Sequence, residues 1–404
     1  MKKRMLYWSV VLTAVLFVSA CQKQDLYNPD SSKKVTDLII PEGFDWSLTK
    51  DVSLKLVSPV QTNVSVFISE DCSDKSLIAK LPAFEGAKPV ELSVPKETVS
   101  LYIQYDKSDG TKAVLPVSLN SPVTRASADL EVRLPQGVGE SVNGRGQMVF
   151  YPSMSERGTL LFEDNWPELG DYDFNDVVAN YQITTTGDND GVSSMDIWVR
   201  LSALGGLYTY DLGLMLDGVA TDNIASIKKG DEIGEWSQIS KGDESYAILF
   251  KWENLKGRFG GKYYNTEKQY KVDLIVWNKQ TAFFTIEFKN KVKVNNHSFN
   301  FFIKSPNSRE IHLMGYRPTE SFSAAYNKLV EDYSDVLNPD IYYRSDKGLV
   351  WGLNIPKSIP HALEGVDFNL AYKKFAGWVM SNGTENQNWY ESGEPSKLMP
   401  LVDF

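Results

Sequence analysis

Short apolar runs separated by turn residues fill the first third of the chain. Between Leu38 and Leu119, runs rich in valine, isoleucine and leucine recur at roughly ten-residue spacing, which is typical of an all-β domain. Asp109–Gly110 separates two alternating runs and predicts a hairpin. We therefore predict a small β-sandwich over residues 36–120. The Pro- and Ser-containing stretch at 121–129 has no periodicity and is predicted to be a linker.

The remainder of the chain, 130–404, is also rich in strand-like runs. We predict a larger β-sandwich domain there, because 404 residues exceed the usual length of one domain. Helical periodicity appears only late, in 323–333 and 367–380, which predicts two short helices near the C-terminus. In the second helix three apolar side chains could share one face: Leu370, Phe375 and Trp378.

Charge and composition restrict the classes of function. The chain carries 42 lysines and arginines against 52 aspartates and glutamates, a formal net charge of −10. Such a balance disfavours a nucleic-acid partner, and we predict none. Three histidines and two cysteines leave few nucleophiles, bases or soft-metal ligands. We predict no enzymatic activity and no catalytic residues.

The amino terminus has the pattern of an export signal. Basic residues precede an apolar stretch at 7–20, which is shorter than the roughly 20 residues of a membrane-spanning helix. The tetrapeptide Val18–Cys21 resembles the lipobox of bacterial lipoproteins, in which the cysteine is acylated. This resemblance implies a signal peptide over 1–20, a lipidated Cys21 and a polar tether over 21–35.

Lipidation of Cys21 implies the location and the first partner of the protein. The lipid would attach the chain to a membrane, and we predict an outer-membrane lipoprotein in the cell envelope of a Gram-negative bacterium. Exposure at the cell surface is left open. Cys72 then has no partner in the mature chain, so no intrachain disulfide is expected.

One segment concentrates negative charge. Between Arg157 and Arg200 there are nine acidic residues and no lysine or arginine, and six of the nine lie within Glu163–Asp176. Crowded carboxylates repel one another unless a positive charge lies among them, and hard oxygen ligands favour Ca²⁺ over zinc or copper. We predict a structural calcium site in a loop between strands. Its candidate ligands are Glu163, Asp164, Asp171, Asp173, Asn175 and Asp176.

The loop does not match the EF-hand pattern. Asp171, Asp173 and Asn175 occupy its positions 1, 3 and 5. Position 6 is Asp176 instead of glycine, however, and position 12 is Gln182 instead of glutamate. A strand-like run follows instead of a helix.

Other interpretations of this segment remain open. The acids could hydrogen-bond nearby backbone amides in a solvated turn, or two carboxylates could act as the acid and base of a glycoside hydrolase. Trp166, Tyr172 and Phe174 could form a sugar platform, although core anchoring is favoured. A second acidic stretch at 187–191 could hold an ion, but its residues are more typical of a hairpin loop.

The string from Leu161 to Val178 resembles the signature of the LruC-domain family of bacterial surface lipoproteins. Similarity to that family continues in Trp351–Pro356 and Ala371–Trp378, and covers roughly 130 to 400 of this sequence. The resemblance implies an exported, lipid-anchored, mainly β protein with no established activity. The acidic signature is also similar to that of a related exported domain that is associated with calcium binding, and this resemblance favours a calcium site here. The segment 36–120 resembles immunoglobulin-like modules, which implies spacing or binding.

These observations together predict a non-enzymatic, lipid-anchored envelope protein with a structural or adhesive role. Its partners would be the membrane and either a surface glycan or another envelope protein. The alternative is a surface glycan-binding module that uses exposed aromatic side chains. The candidates for that role are Trp166, Trp198, Trp236 and Trp389.

Overall fold

The computed structural model describes residues 34–119, 129–141, 145–206, 208–230, 235–240, 242–252, 264–268 and 280–401. The predicted signal peptide, Cys21, nearly all of the tether and all but Asp129 of the predicted linker lie outside these residues. Among the described residues, no helix is both long and apolar enough to span a bilayer.

The fold is mainly β, as predicted. The described strands, in chain order, are β1 (Thr49–Val57), β2 (Thr62–Phe67), β3 (Leu77–Ala83), β4 (Val90–Pro95), β5 (Ser100–Asp106), β6 (Lys112–Ser118), β7 (Leu130–Arg133), β8 (Gly146–Tyr151), β9 (Gly158–Phe162), β10 (Val177–Asp188), β11 (Gly191–Ala203), β12 (Asp211–Ala220), β13 (Ile224–Lys229), β14 (Glu235–Gln238), β15 (Ser245–Lys251), β16 (Thr281–Val292), β17 (Phe299–Lys304), β18 (Glu310–His312) and β19 (Gly352–Ile355).

The described strands form three sheets. The largest has the order β13-β16-β11-β10-β8-β3-β2-β5-β6, and β9 pairs with both β10 and β19 at its side. A second sheet has the order β14-β15-β12-β17-β18, and a third the order β4-β1-β7. Pairing is antiparallel throughout except between β1 and β7, which are parallel.

Alternating side chains direct the strands toward the core. In β5, Leu101, Ile103 and Tyr105 are buried while the residues between them are partly exposed. This is the period of two expected for a strand that covers a core with one face. The Asp109–Gly110 hairpin is present, with β5 and β6 paired from Ser100 to Asp106.

Strands on the two sides of the predicted linker share backbone hydrogen bonds. Leu54 to Val57 of β1 pair with Leu130 to Arg133, and β3 pairs with β8. Residues Lys33–Phe404 accordingly cluster as one compact unit. The strands of segment 36–120 therefore continue into the sheets of the larger segment instead of forming a sheet of their own.

The helices near the C-terminus differ in detail from the prediction. The first, α1 (Glu320–Asp332), buries Phe322 and Tyr326. The predicted helix at 367–380 is two short helices, α2 (Phe368–Ala371) and α3 (Phe375–Met380).

The break between α2 and α3 changes which side chains share a face. The backbone leaves the helical region at Tyr372, with φ −129° and ψ 82°. Phe375 and Trp378 are fully buried, but Leu370 is 42 % exposed. The predicted common face of these three side chains is therefore wrong for Leu370.

Candidate metal centre

The acidic segment connects two adjacent strands. Phe162 at the end of β9 pairs with Val177 at the start of β10. Glu163 and Asp176 follow and precede this pair, so the antiparallel register places the two ends of the loop side by side. We call residues 163–176 the acidic loop.

Glu163 lies inside the acidic loop and organises its backbone. Its side chain is fully buried, and its Oε1 and Oε2 accept hydrogen bonds from the amides of Phe174 (2.6 Å) and Tyr172 (3.3 Å). Tyr172 and Phe174 adopt left-handed backbone angles, φ 57° and 53°, which are rare for bulky residues. This conformation directs both amides toward one carboxylate.

The aromatic side chains of the loop anchor it to the core. Trp166, Tyr172 and Phe174 are all fully buried. Trp166 stacks on Tyr326 of α1 at a centroid distance of 5.3 Å, and Phe174 packs edge-on against Phe368. Core anchoring is confirmed, and these rings present no face for a sugar.

Three of the predicted ligands come together. One carboxylate oxygen from each of Glu163, Asp171 and Asp173 lies within 4.8 Å of the others. Asp171 is exposed, whereas Asp173 is only 2 % exposed and accepts hydrogen bonds from the amides of Asn175 (3.1 Å) and Gly365 (2.8 Å). In the part of the chain that the structure describes, none of the ion pairs involves these three carboxylates.

The electrostatic environment of the loop disfavours bare negative charge. Burial, together with repulsion from neighbouring carboxylates, raises the pKa of Asp173 to about 8 and that of Asp176 to about 9. The same two causes raise the pKa of Glu163 well above its ordinary value. A bound cation would reverse the repulsion and favour the ionised carboxylates.

The other three predicted ligands lie against a pair of glycines. Asp176 accepts a hydrogen bond from the amide of Asp164 (2.8 Å). A Cβ at Gly206 would lie 2.2 Å from Asp164 Oδ2, and a Cβ at Gly205 only 1.9 Å from Asn175 Oδ1. Asp164, Asn175 and Asp176 thus form a second group of oxygens around this pair.

Asn175 belongs to this second group by its side chain. It is fully buried, and its amide nitrogen donates to the carbonyl of Ala362 (3.3 Å). Its Oδ1 makes no hydrogen bond to any described residue. The nearest further oxygen that sequence reasoning missed is Oε2 of Glu364, 2.9 Å from the same hypothetical Cβ at Gly205. The signal that could have drawn attention to this contact is the Gly205–Gly206 step, one residue after β11.

The donor set fits a hard divalent cation. Calcium takes six to eight oxygen ligands, which carboxylates, backbone carbonyls and water supply together. Glu163, Asp171 and Asp173 offer only carboxylate oxygens, and Asp171 faces solvent, from which water can complete the coordination. The hydrogen bonds to backbone amides also match the alternative in which the acids hold the loop without a metal ion. The two interpretations are compatible, because one carboxylate oxygen can accept a hydrogen bond from an amide and also bind a cation.

The second acidic stretch is neutralised by lysines. Asp188 and Gly191 pair at the tip of the β10–β11 hairpin, which confirms the predicted hairpin loop. Lys88 Nζ lies 2.8 Å from Asp190, and Lys291 forms an ion pair with Asp188. These lysines are distant in sequence, so local composition did not reveal them.

Two of the four tryptophans proposed for glycan binding are inaccessible. Trp166 and Trp389 are fully buried, so their predicted exposure is wrong. Both pack among aromatic side chains of the helical region, which explains their burial. Trp198 and Trp236 are partly exposed. Arg157 lies over the ring of Trp198 at 4.6 Å.

Comparisons with known proteins give a family model and one solved structure. A model of a domain of unknown function, DUF4842, matches residues 190–390, just under half of the chain, and begins after the acidic loop. No curated protein matches. A crystal structure from Bacteroides ovatus, described as that of a "putative lipoprotein", matches with a TM-score of 0.66 and 22 % identity, over 84 % of this chain and 100 % of that one. The two chains share a fold.

These matches are consistent with the lipoprotein resemblance at a coarse level. The shared fold covers most of the chain, and the family model covers much of the C-terminal half. Neither match names the LruC-domain family, which stays a prediction from the motif.

Proposed function

We propose that this chain is a non-enzymatic outer-membrane lipoprotein of the cell envelope, in which Ca²⁺ bound by Glu163, Asp171 and Asp173 fixes the acidic loop. The role of the protein is structural or adhesive. Its partners are the membrane, through the lipid on Cys21, and another envelope protein.

The convergence of three carboxylates carries the calcium proposal. Their oxygens lie within 4.8 Å of one another, and two of the three residues are buried. Taking carboxylates out of water without a compensating positive charge is costly, so a divalent cation at this point would stabilise the folded state. The cation would hold Asp171, on the exposed part of the loop, to Glu163 beneath it.

The absence of enzymatic activity is supported by the accessibility of the same residues. Glu163 is fully buried and both of its oxygens accept backbone amides, so it is poorly placed to reach a substrate. A glycoside hydrolase needs both carboxyl groups beside the scissile bond. A structural cation, unlike a substrate, can be bound by a buried carboxylate such as that of Glu163.

The envelope location is supported by the lipobox-like tetrapeptide at 18–21 and by the fold shared with the Bacteroides ovatus protein. A Cys21→Ser variant expressed in a Gram-negative host should appear in the soluble fraction, while the unchanged chain stays with the membranes. Equal partition of the two proteins would contradict the anchor.

The calcium site is tested by thermal unfolding of the full chain in detergent, with a chelator or with millimolar Ca²⁺. A ligand that binds only the folded state at about 1,000 times its Kd adds roughly 4 kcal/mol to the free energy of unfolding. We expect a higher Tm with Ca²⁺ and a smaller rise with Mg²⁺, which demands stricter octahedral geometry.

Asp171→Asn is the informative variant because Asp171 is exposed and the change preserves its size. It should lose most of the Ca²⁺-dependent rise in Tm. The matched control is Glu168→Gln, an exposed acid of the same loop outside the carboxylate cluster, and it should keep the full rise. A Tm that is the same in chelator and in Ca²⁺ would remove the site.

A further inference from the structure

A cavity of about 850 Å³ lies away from the acidic loop. Its lining includes residues 45–49, parts of β4 and the start of β5, and also Tyr151, Tyr316 and residues 352–354, 356 and 357. It therefore lies where the strands of segment 36–120 meet the rest of the chain. Its volume falls in the range of small-molecule sites, which occur preferentially at such junctions.

Hydroxyl groups dominate the polar lining of the cavity. Five tyrosines reach it, and two of them are held in place: Tyr181 donates to Asn354 Oδ1 (2.9 Å) and Tyr390 donates to Glu97 Oε1 (2.6 Å). Burial raises the pKa of Tyr181 to about 12, so its hydroxyl stays protonated. The other three tyrosines are Tyr102, Tyr151 and Tyr316, and serine hydroxyls are added by Ser47, Ser69, Ser73, Ser76, Ser93, Ser100 and Ser153.

The charges around the cavity disfavour an anionic ligand. Six carboxylates line it, against two lysines and one histidine. A phosphate or carboxylate ligand would meet like charge on most sides, at a cost that a low-dielectric cavity increases.

The lining carboxylates also leave little demand for a cation. Glu391 pairs with Lys357 (2.6 Å) and Asp45 with Lys96 (2.8 Å). Glu97 accepts the hydroxyl of Tyr390. Asp71 accepts the hydroxyl of Ser76 and Glu156 the amide of Ser358, both at 3.2 Å. With five of the six lining acids partnered from within the protein, the lining presents mainly neutral donors and acceptors, together with the free Oε2 of Glu97, beside apolar surface from Ile68, Leu313 and Leu353.

We propose that this cavity binds a neutral oligosaccharide. Sugar hydroxyls both donate and accept, which matches tyrosine and serine hydroxyls, the Asn354 amide and carboxylate oxygens. The C–H faces of a sugar ring match the apolar surface and the partly exposed ring of Tyr316. The proposal does not depend on the calcium site, and it uses none of the tryptophans predicted for glycan binding.

The test is calorimetric titration of the full chain in a non-glycosidic detergent. The neutral probes are maltotriose, cellotriose, mannotriose and xylotriose. The charged probes of similar size are trigalacturonic acid and triglucosamine. We expect at least one neutral probe to bind with a Kd below about 1 mM, and neither charged probe to bind more tightly.

Two variants place the binding in the cavity. Ser100→Trp puts a large side chain into the cavity from β5, and its matched control is Val114→Trp, on the adjacent strand β6 and 43 % exposed outside the lining. The first should abolish binding and the second should leave Kd unchanged. Tyr316→Phe removes one hydroxyl and should raise Kd about tenfold, which is the usual effect of one lost hydrogen bond.

Each other result overturns the proposal. Binding that survives Ser100→Trp lies elsewhere on the protein, and preference for triglucosamine or trigalacturonic acid assigns the cavity to a charged ligand. No binding by any probe means that the cavity does not take oligosaccharides. If Ser100→Trp fails to fold, an unchanged Kd in Tyr316→Phe decides against the proposal.

Discussion

Close approach of carboxylate and amide oxygens explains two glycines at the acidic loop. The φ of Gly170 is not in the left-handed region, so backbone conformation does not require a glycine there. A Cβ at Gly170 would instead lie 2.3 Å from Glu163 Oε2. Gly205 has the same role toward Asn175 Oδ1 at 1.9 Å. Both positions exclude a side chain because a buried oxygen occupies the space.

Gly205→Ala tests whether the buried oxygen leaves no space for a side chain, because the change adds a single carbon atom. The added Cβ would also lie 2.9 Å from the backbone oxygen of Asn175, so both chain segments must move. We expect the free energy of unfolding in urea to fall by about 1–3 kcal/mol. Gly146→Ala is the control, since a Cβ there meets nothing within 4 Å. Equal stability of the two variants would contradict the crowding.

Protonation of His361 should affect stability in a way that one substitution can separate from the other titrating groups. It is 5 % exposed, its Nε2 lies 2.7 Å from the carbonyl oxygen of Asn265, and burial lowers its pKa to about 4. Its pKa in the unfolded chain is about 6.5. The folded state therefore binds fewer protons between these values, and the stability from neutral His361 is complete above pH 6.5 and is lost as pH falls toward 4.

From pH 7 to pH 5 this residue should cost about 2 kcal/mol of unfolding free energy. The measurement is urea unfolding of the unchanged chain and of His361→Gln, whose amide can still donate to Asn265. The variant should lose less stability on acidification by that amount. Because other groups titrate equally in both proteins, parallel pH profiles would show that His361 carries no such linkage.

The β10–β11 hairpin shows that an acidic stretch in the sequence indicates a metal site only if its carboxylates are also buried. The sequence offered the same argument for residues 187–191 as for the acidic loop, namely acids without a nearby base. Lys88 and Lys291 neutralise the hairpin from distant parts of the chain. The acidic loop differs because its aromatic residues pack in the core, and the neighbouring carboxylates are therefore buried. The alternation of acidic and aromatic residues is visible in the sequence.

Elements with regular alternation were predictable, and irregular connections were not. β5, the Asp109–Gly110 turn and the approximate position of α1 follow from local pattern. The break between α2 and α3 does not, because the backbone of Tyr372 leaves the helix while its side chain packs against Phe368 and Trp389. The contact of Asn175 with Gly205 depends on the pairing of β10 with β11, which spacing alone could not specify.

At the scale of the loop, Glu163→Gln should release the backbone that Glu163 organises. In the unchanged protein the backbone amides of Tyr172 and Phe174 donate to the two oxygens of one carboxylate. The glutamine side chain would replace one of these oxygens by an NH2 group, which is a donor and cannot accept. We expect faster hydrogen exchange at these two amides and a loss of about 1–3 kcal/mol in stability. Glu168→Gln serves again as the control. Unchanged protection at residues 172 and 174 would mean that Glu163 does not hold the loop.

The whole molecule is joined across the predicted domain boundary by both sheets and core. β1 pairs with β7, and β3 pairs with β8. Leu101 of β5 and Leu214 of β12 belong to one buried cluster of apolar side chains. A chain of this length often contains domains that unfold separately, but here two of the three described sheets take strands from both segments.

Cooperative unfolding follows from this arrangement. Calorimetry of the full chain should show one transition, with equal calorimetric and van't Hoff enthalpies. Leu101→Ala and Leu214→Ala each remove a fully buried side chain and should each destabilise the protein by about 2–5 kcal/mol. Because both leucines pack in one core, both variants should shift the same transition to lower temperature. Two transitions, with each variant moving a different one, would mean that segment 36–120 is an independent domain after all and that the sheet pairing between the segments contributes little to stability.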